Sequence, residues 1–202
     1  MIKVFQSSFH FPTFTKKIKM ALTQSTMMPL GTRAPNFHLM DTVSGNYYSL
    51  DNLKSSQATV IMFICNHCPY VIHLNPAVVQ LANEYRNKGV SFIAISSNDV
   101  ETHPDDSPDK MRIVAKVLRF PFPYLYDKRQ EVAKAYDAAC TPDFYIFDGA
   151  MKLAYRGRFD DSRPGNDVAV TGEDMRNALD HILEGKAVET QYPSMGCNIK
   201  WK

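Results

Sequence analysis

The chain is poor in cysteine, with four in 202 residues: Cys65, Cys68, Cys140 and Cys197. That is too few, in too long a chain, for a disulfide-stapled secreted module. Acidic residues are missing from the N-terminus: none precedes Asp41, whereas Lys3, Lys16, Lys17, Lys19 and Arg33 do. The same stretch lacks the apolar core of about 7–15 residues that a secretory signal requires. No apolar run approaches the ~20 residues of a membrane span. A basic patch interleaved with aromatics is also missing, which argues against nucleic-acid binding. The formal net charge of +2 is uninformative, and there is no internal repeat. With 45% hydrophobic and 22% charged residues the chain can bury an ordinary core. The acid-poor residues 1–30 read as a flexible N-terminal extension with Met20 as the usual initiator, in a cytoplasmic protein; an organelle transit peptide is the alternative.

What is present centres on Cys65-Asn66-His67-Cys68. Thr59 to Ile64 before it is a short apolar run, read as a buried strand. After it, Val71, Leu74, Val78, Leu81 and Tyr85 recur at spacings of 3 and 4, one face of a helix, with Pro69 tolerable in its first turn and Pro76 expected to kink it. A Cys-x-x-Cys pair where a strand hands over to a helix reads as redox-active or metal-binding. The residues predict Cys65 at the helix N-terminus, exposed and attacking, with Cys68 one turn inside as the shielded resolving thiol. A thiol with pKa near 8.5 is only about 3% thiolate at pH 7, and the helix dipole lowers that pKa. His67 as a cation, together with the adjacent Asn66, is expected to tune it further. Stabilising the thiolate makes the disulfide more oxidising, which predicts a potential of about −200 to −120 mV.

The remaining pattern predicts a hairpin near residues 36–50 and a strand over Val90 to Ser96. A helix is opened by Ser107-Pro108, followed by a strand over Phe122 to Tyr126 and a short helix over Gln130 to Tyr136. A second hairpin, Asp143 to Phe147 with Leu153 to Arg158, precedes a last helix over Thr171 to Leu183. Strand–helix alternation implies parallel pairing in the first half and a mixed sheet once the second hairpin is added.

Three landmarks carry a resemblance. Gly31-x-x-Ala34-Pro35-x-Phe37-x-Leu39, Cys65-Asn66-His67-Cys68-Pro69, and Thr141-Pro142 before the strand Asp143 to Phe147 occur in one order. In these the chain resembles the thioredoxin-like superfamily, nearest the peroxiredoxin-like (AhpC/TSA, redoxin) branch. The resemblance implies an α/β thioredoxin-like fold over residues 31–186, with a central mixed sheet flanked by helices, an N-terminal β-hairpin and a C-terminal tail over 187–202. It implies a cis Thr141–Pro142 bond whose flanking backbone binds a disulfide partner. The ending from Gly196 to Lys202 is similar to that of a bacterial subgroup of redoxins. Departures are as specific. Ile64 replaces the usual Trp, Asn66-His67 replaces Gly-Pro, and Thr59 replaces a buried acid, whose role must be unfilled or supplied elsewhere. The peroxidatic Pro-x-x-x-Thr/Ser-x-x-Cys frame is absent: Cys65 and Ile61 stand at its positions before Cys68, Met62 and Ala58 before Cys65.

The expected activity is thiol–disulfide exchange on protein or small-molecule disulfides, coupled to a reducing or oxidising redox partner, with no cofactor. A thiol peroxidase is the alternative. A metal-binding or copper-delivery module using Cys65, Cys68 and His67 or His73 is a third reading, opposed by the missing second ligand pair. Cys140 and Cys197 are candidate additional redox thiols, weighed against a small core residue and a plain tail thiol. Asp160-Asp161-Ser162-Arg163 is given no role.

Overall fold

The computed structural model describes residues 22–202. Residues 1–21, including Met20 and most of the acid-poor leader, lie outside the described residues. The elements are β1 (Leu22–Gln24), β2 (His38–Asp41), β3 (Tyr47–Ser49), α1 (Leu50–Leu53), β4 (Ala58–Phe63) and α2 (Pro69–Arg86). There follow β5 (Val90–Ser96), α3 (Pro108–Val117), β6 (Tyr124–Tyr126), α4 (Glu131–Ala135) and β7 (Cys140–Thr141). The chain closes with β8 (Asp143–Asp148), β9 (Leu153–Gly157), α5 (Glu173–Leu183) and β10 (Met195–Asn198).

Seven strands form a mixed sheet in the order β3-β2-β6-β5-β4-β8-β9. The β4–β5 and β5–β6 pairs are parallel, joined by crossovers through α2 and α3, and β8 runs antiparallel to β4. Strand β4 is buried throughout, so its alternating residues feed two cores. Val60 and Met62 pack with the apolar faces of α2, α3 and α5. Ile61 and Phe63 pack with α1 and α4 on the other side. Helix α2 continues through Pro76, and among the described residues no helix is long and apolar enough to cross a membrane.

A second, three-stranded sheet has the order β1-β10-β7. It joins the chain ends: Leu22 pairs with Cys197 and Gln24 with Met195, while on the other edge Cys197 pairs with Thr141. Part of the 1–30 extension and the 187–202 tail, set outside the domain by their lack of pattern, are thus strands laid across its head. Gly196 makes the approach feasible, since a Cβ there would collide with the carbonyl oxygen of Thr141 and press on Pro142. Beyond β10 the chain stays anchored. The Ile199 amide donates to Ala139 O at 3.1 Å and the Lys200 amide to Asn98 Oδ1 at 2.8 Å, while Lys200 O accepts from Asp99 N and Gln130 Nε2.

Candidate functional site

The site lies where β4 ends and α2 begins. Helix α2 starts at Pro69, with Cys68 as its N-cap in extended conformation (φ −70°, ψ 121°). This corrects the placement of Cys65 at the helix N-terminus. A residue before proline is held out of the helical region, and proline itself suits the first helical position, so the helix cannot begin earlier. Cys65 sits three residues upstream. It is also not the exposed thiol: Cys65, Cys68, Cys140 and Cys197 are all buried, Cys65 only 1% exposed. All four are thiols, with no disulfide among them.

Thr141 stands against both sulfurs of the motif. Cys65 Sγ lies 3.4 Å from its hydroxyl, and the Cys68 thiol reaches its carbonyl oxygen at 3.1 Å. The Thr141–Pro142 bond is cis. On the other side of Cys68, Cys197 Sγ approaches to 2.6 Å.

These contacts decide which sulfur carries charge. Cys68 is held far below the ordinary thiol range, first by the hydrogen bond from Cys197, then by that from Cys65, with the Val71 amide adding to both. Cys65 is pushed well above it by its hydrogen bond to Cys68, by burial and by the nearby Asp106 carboxylate. Cys197 is likewise raised, through its bond to Cys68 and its burial. The three sulfurs are therefore coupled, and their contacts favour the anion at Cys68 over Cys65 and Cys197. The expectation that Cys65 is the activated thiolate is reversed, because the helix start and two S–H donors converge on Cys68, whereas Cys65 faces a carboxylate.

His67 points to Asp106 instead of Cys65. Its Nδ1 is 2.7 Å from Asp106 Oδ2, an ionic contact off the hydrogen-bond axis. The carboxylate raises the His67 pKa against the lowering effect of burial. Burial works to raise Asp106, but the contact with His67 and the bonds from Asn98 and the Asn66 amide outweigh it and leave the carboxyl below its usual range. Its Oδ1 accepts the Asn66 amide at 2.7 Å and its Oδ2 accepts Asn98 Nδ2 at 2.7 Å. The Asn66 side chain bridges Asp105 O (2.8 Å) and the Tyr124 hydroxyl (3.2 Å). His103 stacks on His67 with ring centroids 5.4 Å apart.

Asp106, Asn98 and Tyr124 were not singled out by sequence reasoning. The one usable signal was Thr59. Its hydroxyl accepts the Ser55 amide, so the buried acid missing from that position has a counterpart in Asp106. Donor atoms of Cys65, His67 and Asp106 lie within 4.8 Å of one another, a mixed sulfur, nitrogen and oxygen set. Both oxygens of Asp106 are already engaged by protein donors, and His73 turns away to share a 2.8 Å bond with Ser162.

Cys140 is buried beside the loop, with its thiol 3.5 Å from Pro142 O. Burial, then the Asp143 carboxylate, push its pKa upward. Asp143 forms a fully buried 3.1 Å ion pair with Arg156. Burial lifts Asp143 to about 6 against the lowering effect of Arg156. A cleft of about 230 Å³ opens beside Pro142, bordered by Tyr70, Phe144, Arg158, Asp161 and Arg163. Asp160 is structural there: it accepts the Thr171 and Gly172 amides at 2.7 Å each.

A parallel-cored mixed sheet with a Cys-x-x-Cys pair at a strand-to-helix junction, facing a cis-proline loop, defines a thioredoxin-like protein. The thioredoxin domain of a thiol-disulfide oxidoreductase from Bacteroides vulgatus shares this fold, with a TM-score of 0.61 at 16% identity over 78% of this chain and 99% of that one. Residues 30–156, more than half of the chain, match the model of the AhpC/TSA family, and the chain belongs to that family. A conserved protein from Geobacillus kaustophilus is similar at 60% identity and a TM-score of 0.89, covering 91% of this chain and 97% of that one. The mitochondrial peroxiredoxin PRX1 of Saccharomyces cerevisiae is 28% identical over 152 residues, which is 75% of this chain and 56% of PRX1. The chain thus spans little more than half the length of that relative. Membership supports an oxidoreductase or thiol-peroxidase kind of activity.

Proposed function

We propose that the protein is a thiol–disulfide oxidoreductase whose redox pair is Cys65 and Cys68, working on protein or small-molecule disulfides together with a reducing or oxidising redox partner. The observation that carries this reading is the convergence of both sulfurs on Thr141, at 3.4 and 3.1 Å, with the anion favoured at Cys68. The thiolate is the nucleophile in disulfide exchange. In the reducing direction Cys68 attacks one sulfur of the partner disulfide, forming a mixed disulfide and expelling the partner's other sulfur as thiolate. Cys65 then loses its proton and attacks Cys68, which closes the Cys65–Cys68 bond and releases the partner as a thiol. The nearest carboxylate to the Cys65 thiol is that of Asp106, within 4.8 Å, and partly exposed His67 lies between that carboxylate and solvent. Thr141 and Pro142 hold the partner's backbone, and Asn66 fixes the turn between the cysteines through Asp106 and Tyr124.

Stabilising the Cys68 thiolate favours the dithiol, so the disulfide is expected to be more oxidising than that of thioredoxin, at about −200 to −120 mV. Equilibration with a glutathione redox buffer tests this, and a midpoint below that of thioredoxin (about −270 mV) overturns it. The similarity to PRX1 motivates the alternative, a thiol peroxidase. Rapid conversion of Cys65 or Cys68 to sulfenic acid by hydrogen peroxide, faster than exchange with glutathione disulfide, decides for the peroxidase.

A further inference from the structure

The C-terminal strand occupies the place the reading above gives to a partner. β10 runs antiparallel along β7 and sets Cys197 directly opposite Thr141, the residue before the cis-proline. A bound peptide would need that same edge of Thr141 to hydrogen-bond with the loop. From there Cys197 reaches Cys68, and their sulfurs are 2.6 Å apart, within about 0.6 Å of a covalent S–S bond. The position is built, not incidental. Gly196 removes the side chain that would block the approach to Thr141 and Pro142. β1 pins the opposite edge of β10, and Ile199 and Lys200 tie the following residues to Ala139, Asn98 and Asp99.

We propose that Cys197 is a third redox thiol, an internal partner that forms a disulfide with Cys68. The inference rests on the reading of Cys65 and Cys68 as the redox pair. An external disulfide such as glutathione disulfide first oxidises that pair, giving the Cys65–Cys68 bond and two molecules of reduced glutathione. Cys197 then gives up its proton and attacks Cys68. The Cys68–Cys197 bond forms, the Cys65–Cys68 bond breaks, and Cys65 leaves with the electron pair and takes up a proton. No net oxidation accompanies this second step, so one disulfide is distributed between two pairings that share Cys68. Cys197 Sγ already lies 2.6 Å from Cys68 Sγ, and the C-terminal strand covers the site that it serves.

The two pairings are chemically separable. Trypsin leaves Cys65 and Cys68 together in residues 55–86, and Cys197 in residues 187–200. The wild-type protein, Cys65→Ser and Cys197→Ala are oxidised with glutathione disulfide, blocked with N-ethylmaleimide in denaturant, digested without reductant and mapped by mass spectrometry. The wild type is expected to give both the internal 55–86 disulfide and the 55–86/187–200 cross-link. Cys65→Ser should retain only the cross-link, and Cys197→Ala only the internal disulfide. Cys65→Ser carrying glutathione on Cys68 with no cross-link, while the wild type and Cys197→Ala form Cys65–Cys68, overturns the inference and leaves the redox pair standing. A cross-link in the wild type with no Cys65–Cys68 bond in any variant instead overturns the redox-pair reading and keeps the pairing of Cys197 with Cys68. Thermal unfolding of each variant, with the wild-type map as a measurement free of substitution, guards against a folding defect.

Discussion

Cys68 and Cys140 are equally hidden from solvent, and both lie against the Thr141–Pro142 loop, yet their surroundings push them in opposite directions. Cys68 is met by the thiols of Cys197 and Cys65 and by the Val71 amide, all of which favour its anion. Cys140 is met by burial and the Asp143 carboxylate, which disfavour it. Burial alone raises the pKa of any thiol. What separates the two is the number of hydrogen-bond donors aimed at the sulfur, so the difference between them is set by their neighbours and not by access.

The sharpest way to break this contrast is to remove each sulfur in turn. Cys68→Ser is expected to lower the rate of exchange with glutathione disulfide by about three orders of magnitude or more, as loss of a nucleophile does. Cys140→Ala should leave that rate within about twofold and cost about 1 kcal/mol of stability in urea unfolding, for the buried atoms lost. Equal losses of activity in the two variants would erase the distinction.

The Cys140 side has its own polar demand. Arg156→Met leaves Asp143 buried without its partner and is expected to cost about 3–5 kcal/mol, read from the urea midpoint. Titration of Asp143 gives a somewhat smaller effect. Its folded pKa of about 6 exceeds the unfolded value near 3.9, so its contribution is complete below about pH 3.9 and is lost as pH rises through about 6, a span worth on the order of 3 kcal/mol. The stability difference between the wild type and Asp143→Asn should shift in that window, and a difference independent of pH contradicts the assignment.

On the Cys68 side the smallest effect belongs to His67. The Asp106 carboxylate raises its pKa, and its charged form interacts with the charge of Cys68. His67→Gln should therefore raise the Cys68 pKa only slightly, by less than the loss of Cys197 does. The His67–Asp106 pairing also contributes stability that is present below about pH 6.5 and is lost as pH rises through the raised folded pKa of His67. A shift of several units on His67→Gln would move the control of Cys68 from the thiols to the histidine.

The sequence made the two halves of the site unequally legible. β4 and α2 are visible as an apolar run followed by a 3.6-residue period, because local burial writes a local pattern. Thr141 and Pro142 are visible through their place before β8. The start of α2 is legible too, since Pro69 holds the residue before it out of the helix, although the Cys-x-x-Cys spacing by itself points to Cys65. Asp106 carries no pattern: it sits in an acidic loop, and only long-range bonds from Asn66 and Asn98 and the contact with His67 make it part of the site. β10 is hidden for the same reason. Met195 to Asn198 has no alternation, and its partners, Leu22–Gln24 and Cys140–Thr141, are far away in the sequence. Contacts set by tertiary pairing leave no periodic trace.

The central claim, that the sulfur contacts favour the anion at Cys68 over Cys65 and Cys197, is tested most directly by titrating the ultraviolet absorbance of thiolate in the reduced wild type, Cys68→Ser and Cys197→Ala. The wild type should show one thiolate that persists well below the ordinary thiol range near pH 8.5, absent in Cys68→Ser and titrating at higher pH in Cys197→Ala. A wild-type curve with its first midpoint near 8.5, unchanged by the loss of Cys197, would contradict it.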